Sequence, residues 1–180
     1  MSDYFFDTEF YESGPDNPIQ FISIGIVSED GDEYYAVSSE FDENSLSDWL
    51  KENVVPILGV PPEKRKTIEQ IKNEILSFLG DDEDPVFIAD YCSYDWVVFC
   101  QLFGTMMDLP DHFPKFCLDV QQFKKQIKYD GDLPEQGEGG EHNALSDAKE
   151  CMKRWEFLKV KKFIEKPFNL KEFKKRHKLK

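Results

Sequence analysis

The sequence predicts an α/β domain: a mixed sheet, made of an antiparallel hairpin block plus parallel strands, flanked by helices. Three observations carry that class. Short β-rich runs crowd the first 40 residues, two helical periodicities follow between 46 and 79, and strand and helix patterns then alternate. The expected order is βββααβαβα, with the strand order open.

Residues 1–7 read as the first strand, an aromatic run of Tyr4, Phe5 and Phe6 ending in Asp7. Residues 21–27 are a stronger strand, rich in Ile and Val. The acidic turn at 29–32 carries Gly31, and 34–37 returns from it, so the two strands form an antiparallel hairpin. A helix capped by Ser45 then places Leu46, Trp49, Leu50 and Val54 on one apolar face and stops at Pro56. The next helix opens on a Thr67–Gln70 capping box, buries Ile68, Ile71, Ile75 and Leu79, and ends at Gly80. Residues 85–89 form a continuous apolar run, the pattern of a strand covered on both faces. Ser93 caps a helix over 94–103, closed by Gly104, and 116–118 offer one more short strand. Between 130 and 141 lie four glycines and five acids, the composition of a mobile loop. The last helix begins near Asn143 and stacks Ala144, Leu145, Ala148, Cys151, Met152, Trp155 and Leu158 on one side.

A chain of 180 residues holds one domain with a substantial core. Acids outnumber bases 36 to 22, for a net charge of −14, which argues against a long footprint of neutralised phosphates. The charge is uneven: residues 153–180 carry +9 and residues 1–152 carry −23. The expected organisation is therefore a domain over 1–158 and a basic tail over 159–180. That tail is read either as an arm that retains RNA or as a solvated helix docked on the acidic body or on a dimer partner. Cys92, Cys100, Cys117 and Cys151 are widely spaced and form no C-x-x-C pair, so neither a zinc site nor a disulfide scaffold is indicated. Without a signal-like N-terminus or a long apolar stretch, a reduced, cytoplasmic protein with no membrane partner is the expectation.

With one residue in five an Asp or Glu, acid pairs arise by chance. Asp7-Thr8-Glu9 differs from a solvated turn such as Asp81-Asp82-Glu83 because it ends an apolar strand. Residues i and i+2 of a strand project to the same side, so both carboxylates converge, and their repulsion has to be relieved by a proton or a cation. Hard oxygen ligands of this kind suit Mg²⁺ or Mn²⁺. Asp95 lies in the first turn of the helix after 85–89, where acids are favoured anyway, and Asp90 at the end of that strand competes for the same role. Spacing does not separate the two. Asp147 sits one residue before Ala148 of the apolar stripe, where a bare acid is costly without a partner. His142 precedes it by five positions, roughly 140° around a helix, so the two could act together only if His142 lies in the loop outside it.

In combination these features are far more specific. A strand-borne D-x-E, a mid-chain Asp opening a helix and H-x-x-x-x-D entering the last helix resemble the DEDDh group of 3′-to-5′ exonucleases, on the RNase H-like fold. Closer still, the runs Tyr4-Phe5-Phe6-Asp7-Thr8-Glu9-Phe10, Ile22-Ser23-Ile24-Gly25-Ile26-Val27, Tyr94-Asp95, Cys100-Gln101-Leu102 and His142-Asn143-Ala144-Leu145-Ser146-Asp147-Ala148 are similar to the RNase AS family of polyadenylate-specific 3′-exoribonucleases. The resemblance implies that Asp7, Glu9, Asp95 and Asp147 hold two divalent ions, Mg²⁺ or Mn²⁺, and that His142 is the general base. It also implies that Asp95 rather than Asp90 takes the metal role, that the backbone of Thr8 meets the terminal nucleotide, and that the protein is a homodimer acting on single-stranded RNA 3′ ends. Imidazole, which ordinarily titrates near about 6.5, suits proton abstraction from water. Phe10, Tyr11 and Tyr94 flank the acids, and single-stranded RNA is read by aromatic stacking, which makes Phe10 and Tyr94 candidate base contacts. A DNA exonuclease on the same site and a non-catalytic nucleic-acid-binding module are the alternatives.

Overall fold

Alternation along the first strand assigns the layers of the molecule. The computed structural model describes residues 2–137 and 141–165. Strand β1 (Asp3–Tyr11) carries Tyr4 and Phe6 on one face and Phe5 on the other, all buried. It pairs antiparallel with β2 (Gln20–Ser28), which pairs antiparallel with β3 (Glu33–Val37). On its other side β1 runs parallel to β4 (Val86–Ala89), and β4 parallel to the two-residue β5 (Leu118–Asp119). The sheet order is β3-β2-β1-β4-β5, the hairpin block plus parallel strands that the sequence predicts.

On the Tyr4/Phe6 face lie α2 (Ile68–Leu79) and α3 (Ser93–Phe103), and their core includes Phe87, Phe99, Phe103, Ile71 and Ile75. Phe87 and Phe99 meet at 4.8 Å between ring centroids. The opposite face is covered by α4 (Val120–Gln126) and α5 (Ala144–Glu165), with Phe5, Ile88, Val120, Cys151, Trp155 and Leu158 enclosed between them. A third cluster gathers Ile22, Val37 and Phe41 with Leu46, Leu50 and Val54, on and around α1 (Asp48–Asn53). The capping box at Thr67 and Gln70 forms, and Gly80 ends α2 at φ +60°.

Five local expectations change. The first strand does not stop at Asp7, because its pairing with β2 continues to Tyr11 past a bulge between Glu9 and Phe10. Helix α1 is capped by Ser47, which accepts from the Leu50 amide, since Ser45 belongs to a preceding 3-10 turn capped by Asp42. Ser93 is the first residue of α3 and does not cap it; the cap position is Cys92. Trp49 is not on the buried face of α1 but 51% exposed. The last strand is shifted to 118–119, with Phe116 exposed, and Asp119 caps the unanticipated α4 through the Gln122 amide.

From 130 to 137 the chain has no regular secondary structure, while residues 138–140 of the glycine-rich loop lie outside the described residues. Helix α5 runs without a break through position 159 to Glu165, and the basic tail beyond it also lies outside the described residues. All four cysteines are free thiols. No helix among the described residues is long and apolar enough to cross a membrane.

Candidate active site

Because β1 and β4 are parallel, with Phe5 opposite Ile88, the chain leaves both at the same end of the sheet. β1 overruns its neighbour there, and Asp7 and Glu9 lie on the overhang. Both project to the face that α5 covers. Gly25 stands opposite Asp7, and a Cβ at that position would fall 2.3 Å from the backbone of Leu145. Glycine thus lets the first turn of α5 rest on the sheet itself, which brings Asp147 to Asp7 and Glu9. One carboxylate oxygen from each of the three lies within 4.8 Å of the other two.

Asp95 enters from the first turn of α3. Its Oδ1 accepts from both the amide and the hydroxyl of Thr8, at 3.0 and 2.7 Å, and it is buried. Thr8 lies between the two clustered acids of β1 but points to the α3 side, where it fixes the fourth one. Burial raises the pKa of all four acids. Asp7 is pushed well above the usual carboxylate range by burial and then by Asp95, Glu9 and Asp147. Burial, Asp147 and Asp95 push Glu9 from its ordinary 4.5 up to about 8. Burial raises Asp95 against the two Thr8 hydrogen bonds, and raises Asp147 against Gln136, His142 and Arg154.

Asp90 plays a different part. Its two oxygens accept from Gln121 Nε2 and Arg154 Nη1, both at 2.7 Å, so its charge is neutralised within the protein. Arg154 also donates to the carbonyl of Pro134, tying the loop to α5.

His142 lies outside α5, in the left-handed region at φ +63°, and its charge couples to Asp147. Its neighbour Asn143 caps α5 by accepting from the Ser146 amide, and donates to Ile57 O and Tyr35 Oη. Phe10 and Tyr94 stack at 5.7 Å and 16° beside the acids, with Tyr94 half exposed. Three residues shape the site that sequence reasoning did not single out: Gly25, Gln136, which donates to Asp147, and Asn143. For Gly25 and Asn143 the signal was there, since both fall within the segments that carry the family resemblance.

The donor set is all-oxygen, anionic and partly withdrawn from water. Such a group is relieved by protons or by hard divalent cations, and Mg²⁺ or Mn²⁺ fits it.

Comparison with known proteins places the chain in a family. A family model described as the 3′-5′ exoribonuclease Rv2179c-like domain matches residues 2–159. The 3′-5′ exoribonuclease Rv2179c of Mycobacterium tuberculosis H37Rv is 36% identical over 158 residues, covering 86% of this chain and 92% of that protein. The exoribonuclease MT2234.1 of strain CDC 1551 matches equally. Among solved structures, a zinc-bound complex of Escherichia coli exonuclease I with single-stranded DNA superposes with a TM-score of 0.56 at 11% identity, over 92% of this chain and 41% of that one. A second exonuclease I structure gives 0.54 at 12% identity, over 84% and 39%. These likenesses establish the RNase H-like exonuclease fold. With a family match over residues 2–159, the chain belongs to the Rv2179c-like 3′-5′ exoribonuclease family, which is that of RNase AS.

Proposed function

We propose that the protein is a metal-dependent 3′-to-5′ exoribonuclease that releases nucleoside 5′-monophosphates from single-stranded RNA ends, with a preference for adenylate. The observation that supports it is the meeting of Asp7, Glu9 and Asp147 within 4.8 Å, beside an Asp95 held in place by Thr8.

Asp7, Glu9, Asp95 and Asp147 would hold two Mg²⁺ or Mn²⁺ ions. When bound, such ions acidify water and stabilise the negative charge that develops on the phosphate. The remaining work falls to the chain. His142 accepts the proton of the attacking water as the new P–O bond forms. The bond from phosphorus to the 3′-oxygen of the preceding nucleotide breaks, and that oxygen takes a proton from solvent water, leaving a nucleoside 5′-monophosphate and a shortened strand with a fresh 3′-hydroxyl. Phe10 and Tyr94 stack on the end bases. An amide contact from Thr8 to the terminal nucleotide requires its hydrogen bond to Asp95 to be given up. The acidic surface is compatible with this substrate because only a few nucleotides are gripped and the ions offset the acids locally. The resemblance extends the proposal to a homodimer, which sedimentation would test.

Digestion of 5′-labelled and 3′-labelled ribo- and deoxy-homopolymers, with Mg²⁺ or with a chelator, tests the reading. The 5′-labelled adenylate strand should shorten one nucleotide at a time, the 3′-labelled strand should release labelled mononucleotide at once, and the chelator should stop both. Internal cleavage or chelator-resistant turnover would overturn it. His142→Ala should lose most turnover while keeping Mn²⁺ binding.

A further inference from the structure

Helix α1 carries an exposed tryptophan. Leu50 of the same helix is buried in the cluster with Leu46 and Val54, whereas Trp49 is 51% exposed. Its indole meets the imidazole of His142 at 4.9 Å and 80°, an edge-to-face contact. The backbone beneath this pair is held in place from both sides. Ser47 caps α1, and the side chain of Asn53 donates to the Trp49 carbonyl at 2.8 Å. Across the gap, Asn143 caps α5 and bonds to Ile57 O and Tyr35 Oη, so the residue after His142 is fastened to the segment that follows α1. His142 itself occupies the left-handed region and sits in a turn after a glycine-rich stretch. Its backbone is set by this tether, and its ring lies against Trp49.

We infer that Trp49 is a positioning residue for His142: it holds the imidazole in the orientation from which the water proton is taken. The role rests on the exonuclease reading above. Edge-to-face aromatic pairs attract beyond the burial of their area, which favours one ring orientation over the others. Displacing a catalytic group by about 1 Å can cost on the order of 100-fold in rate. A tryptophan so exposed beside a nuclease site could otherwise be a platform for a nucleobase, and the two roles separate kinetically. A positioning residue acts on kcat, whereas a platform acts on KM.

The test compares wild type, Trp49→Phe and Trp49→Ala in Mn²⁺ on an oligoadenylate, with Mn²⁺ affinity measured alongside. Trp49→Ala should lose about 10- to 100-fold in kcat with KM and Mn²⁺ affinity nearly unchanged, and Trp49→Phe should recover much of the loss. A second readout needs no turnover: the His142 ring proton resonances, assigned with His142→Gln, should shift in Trp49→Ala because the indole ring current is removed. Those of His112, which packs on Phe113 instead, should stay in place. A raised KM at constant kcat, unchanged kinetics, or an unmoved His142 resonance would each overturn the role. A wild-type protein without metal-dependent turnover would overturn the exonuclease reading, and this role with it.

Discussion

At Thr8 two donors converge on one carboxylate oxygen, and that small fact ties β1 to α3 across 87 positions of sequence. Groups that orient metal ligands typically contribute 10- to 100-fold in metal affinity. Thr8→Val keeps the amide bond and loses the hydroxyl, so Mn²⁺ binding measured calorimetrically should weaken about 10-fold, while Thr8→Ser should stay close to wild type. The residues that converge were legible where the geometry is local. Two strand positions of equal parity face the same way, and that alone pairs Asp7 with Glu9. What Thr8 contacts on the other side was not legible, because the side of a strand does not name its partner. The tie between Asp90 and Asp95 could not be broken from spacing for the same reason. What separates them is Arg154, 64 residues beyond Asp90, which neutralises it at 2.7 Å.

Among the elements, α5 decides whether there is a site at all, and one glycine decides where α5 lies. A methyl group at Gly25 would stand 2.3 Å from the Leu145 backbone and 2.4 Å from that of Ala144, neither of which can rotate away. Gly25→Ala should push the first turn of α5 off the sheet and carry Asp147 and His142 with it. The expected cost is about 3 kcal/mol of stability by denaturant titration, from overpacking, together with turnover lower than the loss of folded protein explains. Wild-type activity in Gly25→Ala would show that α5 tolerates the shift. Long periodic elements such as α2 and α5 were readable from apolar spacing and caps. The short α4 was not, since among its seven residues only Val120 is fully buried and its start depends on the Asp119 cap. Trp49 misled because i, i+3 spacing puts it with Leu46, yet Leu46 precedes the helix and follows a 3-10 turn, so the helical spacing does not connect them.

For the whole molecule, the cost of the site is a cluster of acids whose folded pKa values lie above their unfolded ones. Without metal, the folded state then binds more protons than the unfolded state between the ordinary carboxylate range and the raised values. Stability must fall with rising pH across that window, which for Glu9 runs from 4.5 to about 8. The metal-free Tm should therefore drop by about 5 °C or more from about pH 6 to about pH 8, and Mn²⁺ should restore it most at the higher pH. A metal-free Tm that is flat or rises over this range would show that burial and mutual repulsion do not strain these acids. The mixed sheet flanked by helices was legible because strand and helix periods differ so clearly along the chain. The order β3-β2-β1-β4-β5 was not, since no local pattern records which strand pairs with which.

Titration of the metal-free protein with Mn²⁺ by calorimetry, in wild type and in Asp7→Asn, Glu9→Gln, Asp95→Asn and Asp147→Asn, tests most directly whether these distant acids form one cation site. Wild type should bind, and each variant should weaken binding about 10-fold or more, although the four positions span 140 residues of sequence. Binding unaffected by all four substitutions, or no Mn²⁺ binding by the wild-type protein, would contradict it.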